Sequence, residues 1–254
     1  MKRTRPIRSA TPRKPEGQWT EVMSDRQRTS SGALRRQPHM SLPRFVYHLA
    51  EAENWPSIQR YGLLSTRALL DRLGMRGPVR AAVEQAYRPT RTILTTGLVI
   101  RDQKPMPQAA LERCLIGCTA SRWYELLNSK VFFWFDPERL NRQRRACRHF
   151  PQVVLKIDSD RLLGRYAAQT ALTPINTGNA RRKPAWRGAA TFVSYRVWAD
   201  SAWLSEAQAL GTSPRPQKHS PVELTVADSV PDVLDFVLSV QYLAPNEYLP
   251  LNVR

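Results

Sequence analysis

From residue 45 the chain is a succession of short apolar runs broken by polar turns, and the period of each run predicts an element. FVYHLA (45–50) reads as a strand. Residues 51–61 (EAENWPSIQRY) read as a helix, with Pro56 near its first turn and Gly62 placed as a C-cap. Ser65 precedes a second helix, TRALLDRLG, as a polar N-cap, and Gly74 follows it. Residues 78–87 read as helical, and the β-branched RTILTTGLVI (91–100) as a strand or extended loop. Residues 108–128 are mainly helical, with Trp123, Leu126 and Leu127 on the apolar side. The continuous run VFFWF (131–135) predicts a buried strand, and Asp136-Pro137 then starts a helix, PERLNRQRRA. VVLKID (153–158) predicts a strand and SDRLLGRYA a short helix; residues 173–190 are loop-like and TFVSYRVW (191–198) reads as a strand. After a Ser/Pro/Gly loop at 211–220, VELTV (222–226) alternates as a strand does, and VPDVLDFVLSVQYL closes the chain as a helix and a final strand.

Short strands and short helices intermix without a βαβ repeat, so the fold class expected is α+β, in one domain over residues 40–254. There is no G-x-G-x-x-G and no Walker loop, which removes the Rossmann and P-loop readings. Residues 1–39 are different. They are poor in apolar residues and hold ten Lys or Arg against three Asp or Glu. Such a composition cannot repay its ordering entropy, so a disordered basic tail is expected there, which an open reading frame starting at Met40 would lack.

The chain carries a formal net charge of +18, of which the tail supplies +7 and the rest +11. A field of this sign attracts nucleic acid, although an Arg-rich composition also serves plain solubility. No run of apolar residues is long enough to span a bilayer, and the basic N-terminus meets no apolar stretch of the signal-peptide kind, so a cytoplasmic protein without a membrane partner is expected. Cys114, Cys118 and Cys147 form no disulfide framework, which suits a reducing compartment. Cys114 and Cys118, four apart, would share a helix face, but without clustered histidines they make a weak zinc pattern, and no metal is expected.

Several polar residues sit where strands end or loops begin: His48, Asn54, Ser65, Arg101 and Glu223. Each has a bland reading. A lone strand histidine is more often structural than catalytic. A glutamate between Val222 and Leu224 more often faces water from an edge strand than a cleft. Arg101 reads equally as a surface charge. In VELTV, alternation sets Glu223 and Thr225 on one face and Val222, Leu224 and Val226 on the core face.

Three segments, in order, resemble the DarT family of ADP-ribosyltransferases across about residues 45–235. VYHLAEAENWPSIQRYGLLS (46–65) is similar to that family's opening: a strand bearing a His, an Asn-x-x-Ser-Ile helix, then Gly-Leu-Leu. VFFWFDPERL (131–140) is similar to its aromatic core strand, and PVELTVADSVPDVL (221–234) to its closing strand with an embedded Glu. YHLAEAENWPSI and IRDQKPM are shared more closely still with a bacterial group of unknown function. The resemblance implies an ADP-ribosyltransferase-like core and NAD as substrate. It implies His48, Asn54, Gly62 and Leu64 as cofactor-binding residues, Glu223 as the catalytic carboxylate and, by order along the chain, Arg101 as the catalytic arginine. It further implies a toxin- or defence-like role with an antitoxin or immunity protein as partner. The loop TPINTGNARRKPAWRGAATF (173–192), in the region that reads the substrate in that family, has its own composition here. Arg181, Arg182, Lys183 and Arg187 interleaved with Trp186 would suit a single-stranded nucleic acid, cations for phosphate and an indole for a base; a solvated basic loop with Trp186 in the core is the equal alternative. Three function classes stand at this point: a transferase acting on nucleic acid, a noncatalytic relative that binds a nucleotide or nucleic acid, and an interaction protein.

Overall fold

The computed structural model describes residues 41–251, Pro105 and Arg182 excepted. The expectations on the tail (1–39) and on Arg182 lie outside the described residues. Strand β1 (Phe45–Glu51) passes through a 3-10 turn (Ala52–Asn54) into helix α1 (Trp55–Tyr61). β2 (Leu63–Leu64), α2 (Thr66–Arg72) and α3 (Gly77–Glu84) follow, then a small hairpin of β3 (Thr92–Ile93) and β4 (Val99–Ile100). α4 (Gln108–Glu112) and α5 (Ala120–Asn128) lead to β5 (Lys130–Trp134), α6 (Pro137–Ala146), β6 (Gln152–Asp158), α7 (Ser159–Tyr166) and β7 (Thr170–Thr173). A long loop reaches β8 (Val193–Ser194), α8 (Tyr195–Ser201) and α9 (Leu204–Leu210), and the chain closes with β9 (Glu223–Ala227), β10 (Ser229–Val230), a 3-10 turn (Val233–Phe236) and β11 (Val237–Leu243).

Local chemistry explains most of these boundaries. Ser65 Oγ accepts from the Ala68 N–H and starts α2. Asp136 accepts from the Glu138 N–H, with Pro137 preset for the first turn of α6. Asp158 accepts from the N–H groups of Asp160 and Arg161 to open α7. Gly62 ends α1 at φ 70° and lies so close to β10 that a Cβ there would collide with the Val230 carbonyl oxygen. Only glycine allows both that backbone angle and that approach.

Seven strands make one sheet in the order β11-β6-β1-β5-β9-β7-β8, and its pairings are antiparallel. The sheet has a seam. β1 registers with β6 from Phe45–Asp158 to Glu51–Gln152, and β5 with β9 from Lys130–Ala227 to Trp134–Glu223. Between these halves, Tyr47–Trp134 is the one ladder pairing of β1 with β5 among the described residues. One face of the sheet carries Val46, Ala50, Phe133, Leu155, Leu224 and Val226 against Ile58 and the α7 and α8 residues Leu162, Leu163 and Trp198. The opposite face carries Leu49, Trp134 and Val154 against Leu140 of α6. Both faces are therefore covered.

The structure corrects several expected elements. Residues 51–61 are not one helix: Glu51 still pairs with Gln152 at the end of β1, and α1 starts at Trp55. Residues 113–119 are not helical, so Cys114 and Cys118 do not share a helix face. TFVSYRVW is not a strand over its length. Ser194 Oγ accepts from the Val197 N–H and turns the chain into α8, which buries Trp198. The expected closing helix is a 3-10 turn followed by β11. β7 and α9 had no forerunner in the sequence pattern. No described helix is long and apolar enough to cross a membrane.

Candidate active site

At the seam a cavity of about 650 Å³ opens, lined from both halves of the sheet. The size suits a nucleotide-sized ligand. His48, Asn54, Gly62, Leu64, Arg101 and Glu223, separated by up to 175 positions in sequence, all line it.

Glu223 opens β9, an interior strand between β5 and β7, so its side chain does not face water from an edge. The residue is 2 % exposed, and Thr225 on the same face is fully buried. The polar face expected from alternation is thus an enclosed one. Thr177 donates to Glu223 Oε2 from its hydroxyl at 2.8 Å and from its backbone N–H at 3.2 Å. Thr173 Oγ1 lies 2.9 Å from Oε2 and also 2.9 Å from the Ile175 carbonyl oxygen. A hydroxyl has one proton. When it goes to Ile175, the contact with Glu223 requires a proton on the carboxyl. Burial pushes the Glu223 carboxyl up to about 7, against the lowering effect of the threonine hydrogen bonds and the Arg187 charge. It therefore exchanges its proton near neutrality.

His48 donates Nδ1–H to the Phe132 carbonyl at 2.8 Å, across the seam from β1 to β5. A carbonyl only accepts, so Nδ1 carries the proton and Nε2 is left as an acceptor. Burial, helped by the Arg101 charge, pushes His48 down to about 4 despite that hydrogen bond, so the ring is neutral.

Arg101 is held by Glu51: Nε to Oε1 at 2.9 Å, with Nη2 on Gln152 Oε1 at 2.6 Å. Gln152 in turn donates to Glu51 Oε2. Burial, the largest single influence, lowers the guanidinium, but the charge and hydrogen bond of Glu51 together with Cys147 and Asp102 raise it overall. Asn54 lines the cavity, but its amide is spent on structure. Nδ2 donates to the Val99 carbonyl and Oδ1 accepts the Val99 N–H, both at 2.8 Å, which fixes β4 against the 3-10 turn that follows β1.

The loop after β7 supplies what sequence reasoning did not name. Asn176, Thr177, Gly178 and Asn179 form one wall of the cavity, and Thr177 holds the carboxylate. Arg187, expected on a nucleic-acid surface, is instead 1 % exposed. Its backbone is pinned to Cys114 and Ile116, and its side chain donates to the carbonyls of Thr177 and Ala185, near Glu223. It clamps the loop from inside. Arg181 and Lys183 are exposed, and Trp186 is 53 % exposed, which excludes Trp186 from the core. Among residues missed in sequence, Glu51 and Gln152 orient Arg101, while Arg88, Asn128 and Lys130 line the cavity near the start of β5. The one signal for Thr177 was the Asn-Thr-Gly-Asn composition of its loop.

A family model matches residues 44–237, which includes both strands of the seam, His48 and Glu223. The chain belongs to a family of unknown function, DUF7002. No curated protein matches this DUF7002 chain in sequence. Among solved structures it is similar to Thermosipho africanus DarTG in complex with ADP-ribose, at 13 % identity and a TM-score of 0.38, over 78 % of this chain. The matched part spans 43 % of that DarTG chain.

Proposed function

We propose that this protein is an ADP-ribosyltransferase that uses NAD as its substrate. The observation that carries the reading is the convergence of Glu223, His48 and Arg101 on one nucleotide-sized cavity, with a carboxyl that titrates at about 7. In the reaction the bond between nicotinamide and ribose C1′ breaks and nicotinamide leaves with the electron pair. The acceptor then bonds to C1′ and gives up its proton. Ionised Glu223 stabilises the positive charge developing at the ribose or takes the acceptor's proton. The bare His48 Nε2 accepts from a ribose hydroxyl. Arg101, already fixed by Glu51, presents its remaining N–H groups to the ligand.

A single-stranded nucleic acid suits the acceptor side. Arg181, Lys183 and Trp186 are exposed on the loop that runs directly from the cavity wall at Asn176–Asn179. An antitoxin or immunity protein that covers this mouth fits the same reading. A second reading, nucleotide binding without turnover, is favoured by one observation: Arg101 is already neutralised by Glu51.

Nicotinamide release by the purified protein separates the two. Glu223→Gln is expected to reduce it by at least about two orders of magnitude, with NAD binding largely kept. His48→Ala is expected to weaken NAD binding instead. Turnover by Glu223→Gln at the wild-type rate would sink the assignment.

A further inference from the structure

Two cations in the cavity form no ion pair among the described residues, and the chemistry above does not use them. Lys130 opens β5 and lines the cavity; its Nζ lies 5.0 Å from the centroid of the Phe192 ring. Among the described residues its amine has neither a hydrogen bond nor an ion pair, and the charges acting on it are Asp228 and, opposing, Arg67. Arg88 is 7 % exposed and lines the same cavity. It donates to the carbonyls of Val83 and Arg101 and, at 3.1 Å, to Asn128 Oδ1; none of these partners is a carboxylate. Asn128 is itself held by Nδ2 on the Glu84 carbonyl, so Arg88 is fixed in place. Burial lowers the Lys130 amine, and it takes Arg88 down to about 10 even with Asp102 opposing.

An unpaired charge out of water is expensive, and a structural arginine here avoids that cost differently. Arg144 is fully buried, does not line the cavity, and donates to four carbonyls, of Cys147, Phe150, Ala244 and Glu247. Arg88 and Lys130 instead line the cavity with N–H groups to spare: three hydrogen bonds leave two of the five Arg88 donors over, and among the described residues the Lys130 amine makes none. Arg101 is not equivalent to them, because Glu51 already balances it. Position matters as well. Lys130 pairs with Ala227 while Trp134 pairs with Glu223, so Lys130 stands four residues along the strands from the carboxylate. At the usual strand rise that is about 14 Å, a span for an extended ligand with its anionic part remote from the reacting bond.

We propose that Lys130 and Arg88 form a phosphate site that takes the diphosphate of a nucleotide. The choice of a nucleotide rests on the function proposed above; the anion site does not. Lys130 acts as a point charge and Arg88 as a fixed donor fork, the usual division of labour between these residues on phosphate.

Calorimetric titration of the full chain with inorganic pyrophosphate, ADP-ribose and adenosine tests this. Pyrophosphate is expected to bind the wild type. Lys130→Met is expected to weaken pyrophosphate and ADP-ribose by about tenfold or more and to leave adenosine unchanged. Lys130→Arg, which keeps the charge, is expected to stay within about threefold of the wild type. Glu223→Gln is expected to bind pyrophosphate as the wild type does. Equal pyrophosphate affinity for the wild type and a folded Lys130→Met, or no binding by the wild type, overturns the site. Pyrophosphate binding that depends on Lys130 without any nicotinamide release overturns the transferase reading and leaves the phosphate site standing.

Discussion

At the scale of single residues, the site holds two groups displaced from their usual titration in opposite directions. Glu223 is raised to about 7 and His48 lowered to about 4, each chiefly by burial. The signs have a measurable consequence. Between its unfolded and folded values the Glu223 carboxyl binds its proton more tightly in the native chain, so stability falls as pH rises through that window. For His48 the unfolded chain binds the proton more tightly, so stability rises with pH from about 4 to about 6.5. The two windows overlap and the effects offset each other. Glu223→Gln removes one of them. It is expected to leave the variant more stable than the wild type above pH 7, by up to about 3 kcal/mol, with a steeper loss in acid. Denaturant titrations of both proteins from pH 4 to 8 check this; parallel stability curves would show that Glu223 ionises as a carboxyl in water does. Neither shift was legible in the sequence. VELTV shows an alternating strand but not that both its faces are covered. FVYHLA shows a histidine but not the Phe132 carbonyl across the seam.

At the scale of elements, the sequence was most legible where local chemistry decides the structure. Ser65 and Asp136 predict the starts of α2 and α6, and VFFWF and VVLKID predict β5 and β6, because caps and buried runs act over a few residues. It was least legible where tertiary contacts override propensity. The β-branched and aromatic TFVSYRVW became mostly helix once the Ser194 cap and the burial of Trp198 outweighed its strand preference. β7 (TALT) is too short to show a period, and it is a strand because β8 and β9 flank it. Gly62 is the element-scale position with the clearest test. Gly74 shares the positive φ, 66° against 70°, but Gly62 also has ψ −163°, a region that glycine alone adopts readily, and a Cβ on Gly74 meets nothing within 4 Å. Gly74→Ala is expected to cost about 1–2 kcal/mol for the left-handed angle alone. Gly62→Ala adds the collision with Val230 and Pro231 and is expected to cost more, parting β2 from β10 beside the cavity. Equal losses in chemical denaturation would mean that the close approach is not needed.

At the scale of the whole molecule, charge and topology meet at the seam. Among the described residues the halves of the sheet share one ladder pairing, Tyr47–Trp134, and the His48–Phe132 hydrogen bond, and the loop that braces Glu223 from within continues outward as Arg181, Lys183 and Trp186. Arg187 divides that loop into two parts: a buried clamp behind the carboxylate and an exposed basic surface before it. The net charge of +18 makes polyanion binding expected of the full chain, but charge alone does not say where the strand lies. Salt dependence and stacking can be separated. Each phosphate contact made by a cation contributes about 0.7 to the slope of log affinity against log salt for a single strand, whereas stacking leaves the slope unchanged. Lys183→Ala is therefore expected to flatten the slope by about that amount. Trp186→Ala is expected to lower affinity by about 1–3 kcal/mol at every salt concentration, with the slope unaltered. Fluorescence titrations of a labelled single-stranded oligonucleotide across a salt series read both quantities. If both variants match the wild type in slope and affinity, the strand does not cross this loop, and the charge that attracts it lies elsewhere on the molecule.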